Sequence, residues 1–88
     1  MSKKYNGWAN RATWNVALWL GNDEGLYRTA VEMARAIKGR LNAREAEELC
    51  FALFPSGKTP DGDSLINCHW PEIASDLREM AGLDGRAA

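Results

Sequence analysis

Asn10 to Tyr27 reads NRATWNVALWLGNDEGLY, and the spacing of its apolar residues decides the fold. Asn10 stands where a helix N-cap is wanted, directly before that run. On a helical wheel Trp14, Ala17 and Leu18 fall on one side, and Ala12, Val16, Trp19 and Leu20 on the other. Thr13 and Asn15 interrupt the apolar surface. The pattern predicts a helix over about 11–20 that is apolar almost all round, which is the pattern of a buried helix. In a chain of 88 residues, three other helices must then wrap it, or one face must be left for a partner.

The neighbouring segments supply those helices. Asp23 can cap a second helix over 24–39, with Leu26, Ala30, Met33, Ala34, Ile37 and Leu41 as one stripe. Arg28, Glu32, Arg35 and Lys38 form its opposite face. Asn42 and Glu45 make a capping-box pattern that opens a third helix, whose Ala46, Leu49, Cys50 and Leu53 face inward until Pro55 ends it. A turn-rich loop over 55–63 and a short helical turn over 64–69 lead to a last helix over 70–81. Pro71 lies in its first turn and Gly82 is its stop. Ile73, Ala74, Leu77, Met80 and Ala81 are its inner face, and Glu72, Asp76 and Glu79 its acidic outer stripe. The period is 3.6 throughout and no segment alternates as a strand would. The expectation is an all-α, compact four-helix domain over 1–88 with a buried Trp-rich first helix, and with 1–6 and 84–88 flexible.

Composition is that of a soluble globular chain, with 45% hydrophobic and 26% charged residues. The run from Val16 to Leu20 is far too short to span a bilayer, and no apolar signal-peptide region opens the chain. The expected location is the cytoplasm, with no membrane partner. Net charge is −1, but residues 1–44 carry +5 and residues 45–88 carry −6. The halves either pack together and mix their charges, or present a bipolar surface that steers a charged partner.

Familiar site chemistries are missing from the sequence. Structural zinc needs four Cys/His ligands, and the chain offers Cys50, Cys68 and His69. The cysteines read as small core residues, with a disulfide between them as the alternative. A Cys–His nucleophile pair would need His69 beside one of them and an orienting acid, and nothing in the spacing indicates that. Gly57-Lys58-Thr59 looks like the end of a phosphate loop, but Ala52 stands where a glycine is needed and Pro60 follows. Asp61, Asp63 and Glu72 match three positions of a calcium loop, but Leu65 and Ile66 occupy its fifth and sixth. No catalytic residue, metal or cofactor is expected.

Binding residues are easier to name. Arg28, Arg35, Lys38, Arg40 and Arg44 are a candidate nucleic-acid patch, although a pI of 5.8 and the acids Glu45, Glu47 and Glu48 disfavour it. Trp8, Trp14 and Trp19 crowd into twelve residues. They either build a core or anchor a partner, since Trp, Tyr and Arg dominate interface hot spots. Trp8, Trp19 and Phe51 are the aromatics expected to be exposed, and Arg11 joins them as a candidate contact.

The segment from Asn6 to Tyr27 resembles the opening signature of a family of small proteins encoded by phages, plasmids and integrated elements. The matching residues are Asn10, Arg11, Thr13, Trp14, Trp19, Leu20, Asn22, Asp23 and Tyr27. Trp70-Pro71-Glu72-Ile73-Ala74 is similar to that family's later helix start, with His69 where an acid usually precedes the Trp. The resemblance implies a gene context rather than a chemistry. Its expected expression is a binding protein that inhibits a host defence system, of anti-CRISPR or antirestriction type, by docking on a host protein or protein–RNA complex. The alternatives are a nucleic-acid-binding accessory protein, a homodimer that pairs the second face of its first helix, and an enzyme built around His69 or clustered carboxylates. The signature itself reads either as fold specification or as a binding surface that exposes Trp8, Arg11 and Asn15.

Overall fold

The computed structural model describes residues 5–37 and 41–83. Four helices follow in order: α1 (Arg11–Asn22), α2 (Glu24–Ile37), α3 (Ala43–Leu53) and α4 (Trp70–Ala81). A 3₁₀ turn, Leu65–Asn67, precedes α4. Among the described residues there is no β-strand, only two isolated bridges, Tyr5 with Trp8 and Lys58 with Ser64. The Cα radius of gyration is 12.1 Å. A compact chain of this length is expected at about 12 Å, so the helices form one packed body.

The predicted caps are in place. Asn10 accepts the Thr13 N–H at 2.9 Å. Asp23, the single residue between α1 and α2, closes the first helix with its N–H on the Trp19 carbonyl and opens the second by accepting the Leu26 N–H at 2.9 Å. One residue thus serves two helix ends, its backbone N–H the first and its carboxylate the second, and fixes a sharp corner. Asn42 and Glu45 exchange side-chain and backbone bonds in a full capping box. Gly82 ends α4 at φ 72°, where L side chains are strained, and Leu83 N–H returns to the Arg78 carbonyl. His69 precedes α4 without making a side-chain cap bond.

Helix α4 packs against all three other helices, and α1 also packs against α2 and the 3₁₀ turn. Val16 and Leu20 of α1, Leu41, Leu65, and Ile73 and Leu77 of α4 are sealed from solvent. Helix α1 departs from the wheel reading in one respect. Thr13 and Asn15, expected to break its apolar surface, are fully buried, while Trp14 and Trp19 are half-buried at its flanks. The physical reason is that both polar side chains have partners on the loop before α4. The end of the expected second helix, Lys38 and Gly39, and the following Arg40 lie outside the described residues, as do 1–4 and 84–88. Tyr5 and Asn6, expected in a flexible terminus, are folded into a tight turn.

Candidate functional site

The polar residues of the N-terminal signature hold the loop of residues 55–69 against α1. Asn10 Nδ2 donates to the Asn67 carbonyl at 2.8 Å. Thr13 Oγ1 donates to Asn10 Oδ1 at 2.7 Å and accepts the His69 N–H at 2.8 Å. Asn15 Nδ2 and Trp19 Nε1 both donate to Asp61 Oδ2, at 2.9 and 3.1 Å. Arg11 pairs with Asp63 at 3.0 Å and lies over the Trp14 ring at 6.0 Å. The two donors, Asn15 first, hold the Asp61 carboxyl below its usual range, and Asp63 holds the Arg11 guanidinium above its own. Asn15 is therefore not a surface residue, and Arg11 and Trp19 are engaged within the fold.

The other expected contacts are also occupied. Phe51 is half-buried, 6.3 Å from the Trp70 ring, and Trp8 and Trp19 are half-buried and packed against the core. These three aromatics were expected to be exposed; each lies at a seam where a loop or turn crosses a helix. Arg28 pairs with Glu24, Arg44 with Glu48 at 3.5 Å, and Arg35 Nε donates to the Ala81 carbonyl at 3.3 Å. Lys38 and Arg40 lie outside the described residues. Cys50 and Cys68 are buried free thiols, and burial pushes Cys68 up to about 12 and raises Cys50 as well. His69 is exposed, with Nδ1 3.7 Å from Glu72. Among the described residues no group of three His, Cys, Asp or Glu side chains is placed to hold a metal ion.

A surface feature with unmet chemistry lies on the opposite flank of α1. Asn6 and Gly7 both have positive φ, 49° and 90°, and Tyr5 and Trp8 exchange backbone hydrogen bonds of 2.9 and 2.7 Å across them. This is the geometry that Asn-Gly favours in a two-residue turn. The turn folds back so that Tyr5 meets the Trp14 ring at 5.0 Å, and Ala9 N–H donates to Glu72 Oε1 of α4 at 2.9 Å. Trp8 is thereby set into the seam between α1 and α4. Two adjoining depressions open there. One, of about 250 Å³, is lined by Trp8, Trp14, Ala17, Leu18, Gly21, Asn22, Asp76 and Met80. The other, of about 200 Å³, is lined by Gly7, Trp8, Glu72, Ser75, Asp76 and Glu79.

Trp8 and Asp76 belong to both depressions, so they form one groove. Burial first, and the charge of Glu79 second, raise the Asp76 carboxyl above its ordinary value of 3.8. Among the described residues, neither Asp76 nor Glu79 has a hydrogen-bond or ion-pair partner and no Lys or Arg lines the groove. Gly21 forms part of the wall, and a Cβ added there would meet nothing within 4 Å. Of the expected binding residues, only Trp8 lines this groove. The helical pattern places Asp76 on the acidic outer stripe and Met80 on the inner face, and neither position marks a groove. The available signal was negative: none of residues 72, 73, 79 and 80, the helical neighbours of Asp76, is Lys or Arg.

The chain belongs to a family of unknown function, DUF7249, whose model matches residues 1–84. No curated protein and no solved structure matches the chain.

Proposed function

We propose that this protein works by docking on a macromolecular partner, with the α1/α4 groove as its contact surface. The observation that carries the reading is the groove at Asp76, a partly desolvated carboxylate with no counter-ion among the described residues, lined also by the half-buried Trp8 indole and a second acid, Glu79. Burying charge costs free energy, and a site that leaves it unpaired is completed by something outside the chain. The surroundings suit binding better than bond-making. Among the described residues the groove offers one hydroxyl, Ser75, without a hydrogen bond to a base, and both cysteines are buried elsewhere as neutral thiols.

The concrete form of the proposal is an inhibitor of a bacterial defence system, made by a mobile element and acting in the host cytoplasm. Its support is the resemblance of the Asn6–Tyr27 signature, together with a domain small enough to act by occlusion. None of its helices is long and apolar enough to cross a membrane, among the described residues. Phage plating on a panel of bacterial strains, each with one restriction or RNA-guided system, tests it. Expression of the protein is expected to raise plating efficiency in at least one strain, and Asp76→Lys to abolish the rise. No rise in any strain, or a rise that Asp76→Lys leaves intact while the variant stays folded, overturns it. Binding of labelled DNA or RNA that falls steeply with salt and depends on Arg28, Arg35 and Arg44 would replace it with the accessory-protein reading.

A further inference from the structure

We infer that the groove takes an arginine side chain, presented by a basic segment of a partner protein. The inference rests on the docking reading and names the chemistry of the occupant.

Size is the first argument. Pockets for cofactors and small molecules run to about 300–1,000 Å³. The two depressions here measure about 250 and 200 Å³ and join at Trp8 and Asp76. Joined, they reach only the low end of that range, and the groove divides at Trp8 into two depressions that each match the end of one side chain. Charge is the second argument. Asp76 and Glu79 are acids without partners among the described residues, and no cation among those residues lines either depression. A cationic occupant supplies a counter-charge to both. A neutral donor could bond Asp76 but would leave its charge uncompensated, and an anion would add to it.

The indoles decide which cation. A guanidinium is planar and weakly hydrated, stacks on an aromatic face, and holds carboxylates with a fork of donors. An ammonium is compact and strongly hydrated, and it loses more on entering a half-buried site. The chain uses the same pairing within itself, where the Arg11 guanidinium lies 6.0 Å over the Trp14 ring while bonded to Asp63. In the groove, Trp8 provides the indole, and Asp76 and Glu79 the carboxylates. Gly21 is the third argument. Glycine within a helix is destabilising relative to alanine. Here no neighbouring atom within 4 Å excludes a side chain, so packing does not require it. Its lack of a side chain keeps the wall of the groove open.

The test uses the full chain, labelled with ¹⁵N, and three capped peptides with the core Gly-Xaa-Xaa-Gly. Xaa is arginine, lysine or citrulline, the last having nearly the shape of arginine without its charge. The arginine peptide is expected to shift the indole N–H signal of Trp8 and the amides of Gly21, Asp76 and Glu79. The citrulline peptide is expected to bind at least about tenfold more weakly, and the lysine peptide to fall between them. Asp76→Asn should weaken the arginine peptide. Gly21→Leu should abolish its binding while the helical circular dichroism and Tm stay at or above those of the parent. Equal shifts with arginine and citrulline, no shifts with either, or unimpaired binding by Gly21→Leu would overturn the inference. So would concentration-dependent dimerisation that buries Trp8, because the occupant would then be a second copy.

Phage plating separates the two readings. If Gly21→Leu and Asp76→Asn abolish protection but the arginine peptide has no advantage, docking stands and arginine falls. If the peptide binds as expected and both variants still protect, the arginine site stands and the docking reading falls.

Discussion

Helix α1 has two flanks that handle carboxylates in opposite ways. On one, Asp61 accepts from Asn15 and Trp19, and Asp63 pairs with Arg11. Donors surround those acids, and the Asp61 carboxyl is held low. On the other, Asp76 lies beside Trp8 with Glu79 as its nearest electrostatic influence, and its carboxyl is held high. The same residue type is a fastener on one flank and a liability on the other. The contrast is one of charge: on the first flank every carboxylate has a donor, although Asn15 Oδ1 is buried there without a partner among the described residues, whereas on the second Asp76 has none among them.

If this division is correct, the largest loss of stability comes from the fastened flank. Asn15→Ala removes a buried donor and leaves a small void, and should cost about 2–3 kcal/mol in chemical denaturation. Thr13→Val keeps the shape but deprives the His69 N–H of its acceptor and Asn10 of a donor, and should cost about 1–2 kcal/mol. At this chain length each kcal/mol moves Tm by about 4–8 °C. A neutral result at either position would mean that the loop is held by packing alone, and the contrast between the flanks would collapse.

The pH dependence of Tm sharpens the comparison, because the two acids act with opposite sign. Asp76 has a raised carboxyl in the folded state, so protonating it favours folding, and stability rises as pH falls toward its ordinary value of 3.8. Asp61 has a lowered carboxyl, so its contribution is complete above the unfolded value and is lost as pH falls through the folded one, below 3.8. Asp76→Asn should flatten the upper limb and raise Tm at neutral pH. Asp61→Asn should flatten the lower limb. If both variants flatten the same limb, the two flanks are electrostatically alike and the division is wrong. The smallest effect is expected at Gly21→Ala, which should gain about 0.5 kcal/mol or slightly more in helix propensity. A loss there would show that the glycine serves packing after all.

The sequence made the helices legible because they follow the 3.6 period, and most helix ends because Asn10, the Asn42/Glu45 pair, Pro71 and Gly82 carry their own local chemistry. It did not reveal Thr13 and Asn15 as core. A wheel registers that a residue is polar, not that a partner 46 or 56 positions away will meet it. The groove was hidden for a related reason. Asp76 lies on the outer stripe of α4, and it becomes half-covered because the Asn6-Gly7 turn folds Trp8 over it. That turn had a local signal of its own, the Asn-Gly pair, whereas its landing place on α4 had none.

The bond from Ala9 to Glu72 joins positions 63 residues apart. It ties a segment that precedes α1 to the first turn of α4. A contact of that span closes late, because its loop entropy must be met before the contact contributes. Helices α1 and α2 can begin to associate while synthesis continues, but the seam holding Trp8 needs α4 to exist. A chain in which α4 has not yet formed therefore has the aromatic residue without its acidic counterpart. The groove is thus a product of tertiary folding: no single helix carries it, and it exists only while α4 is docked.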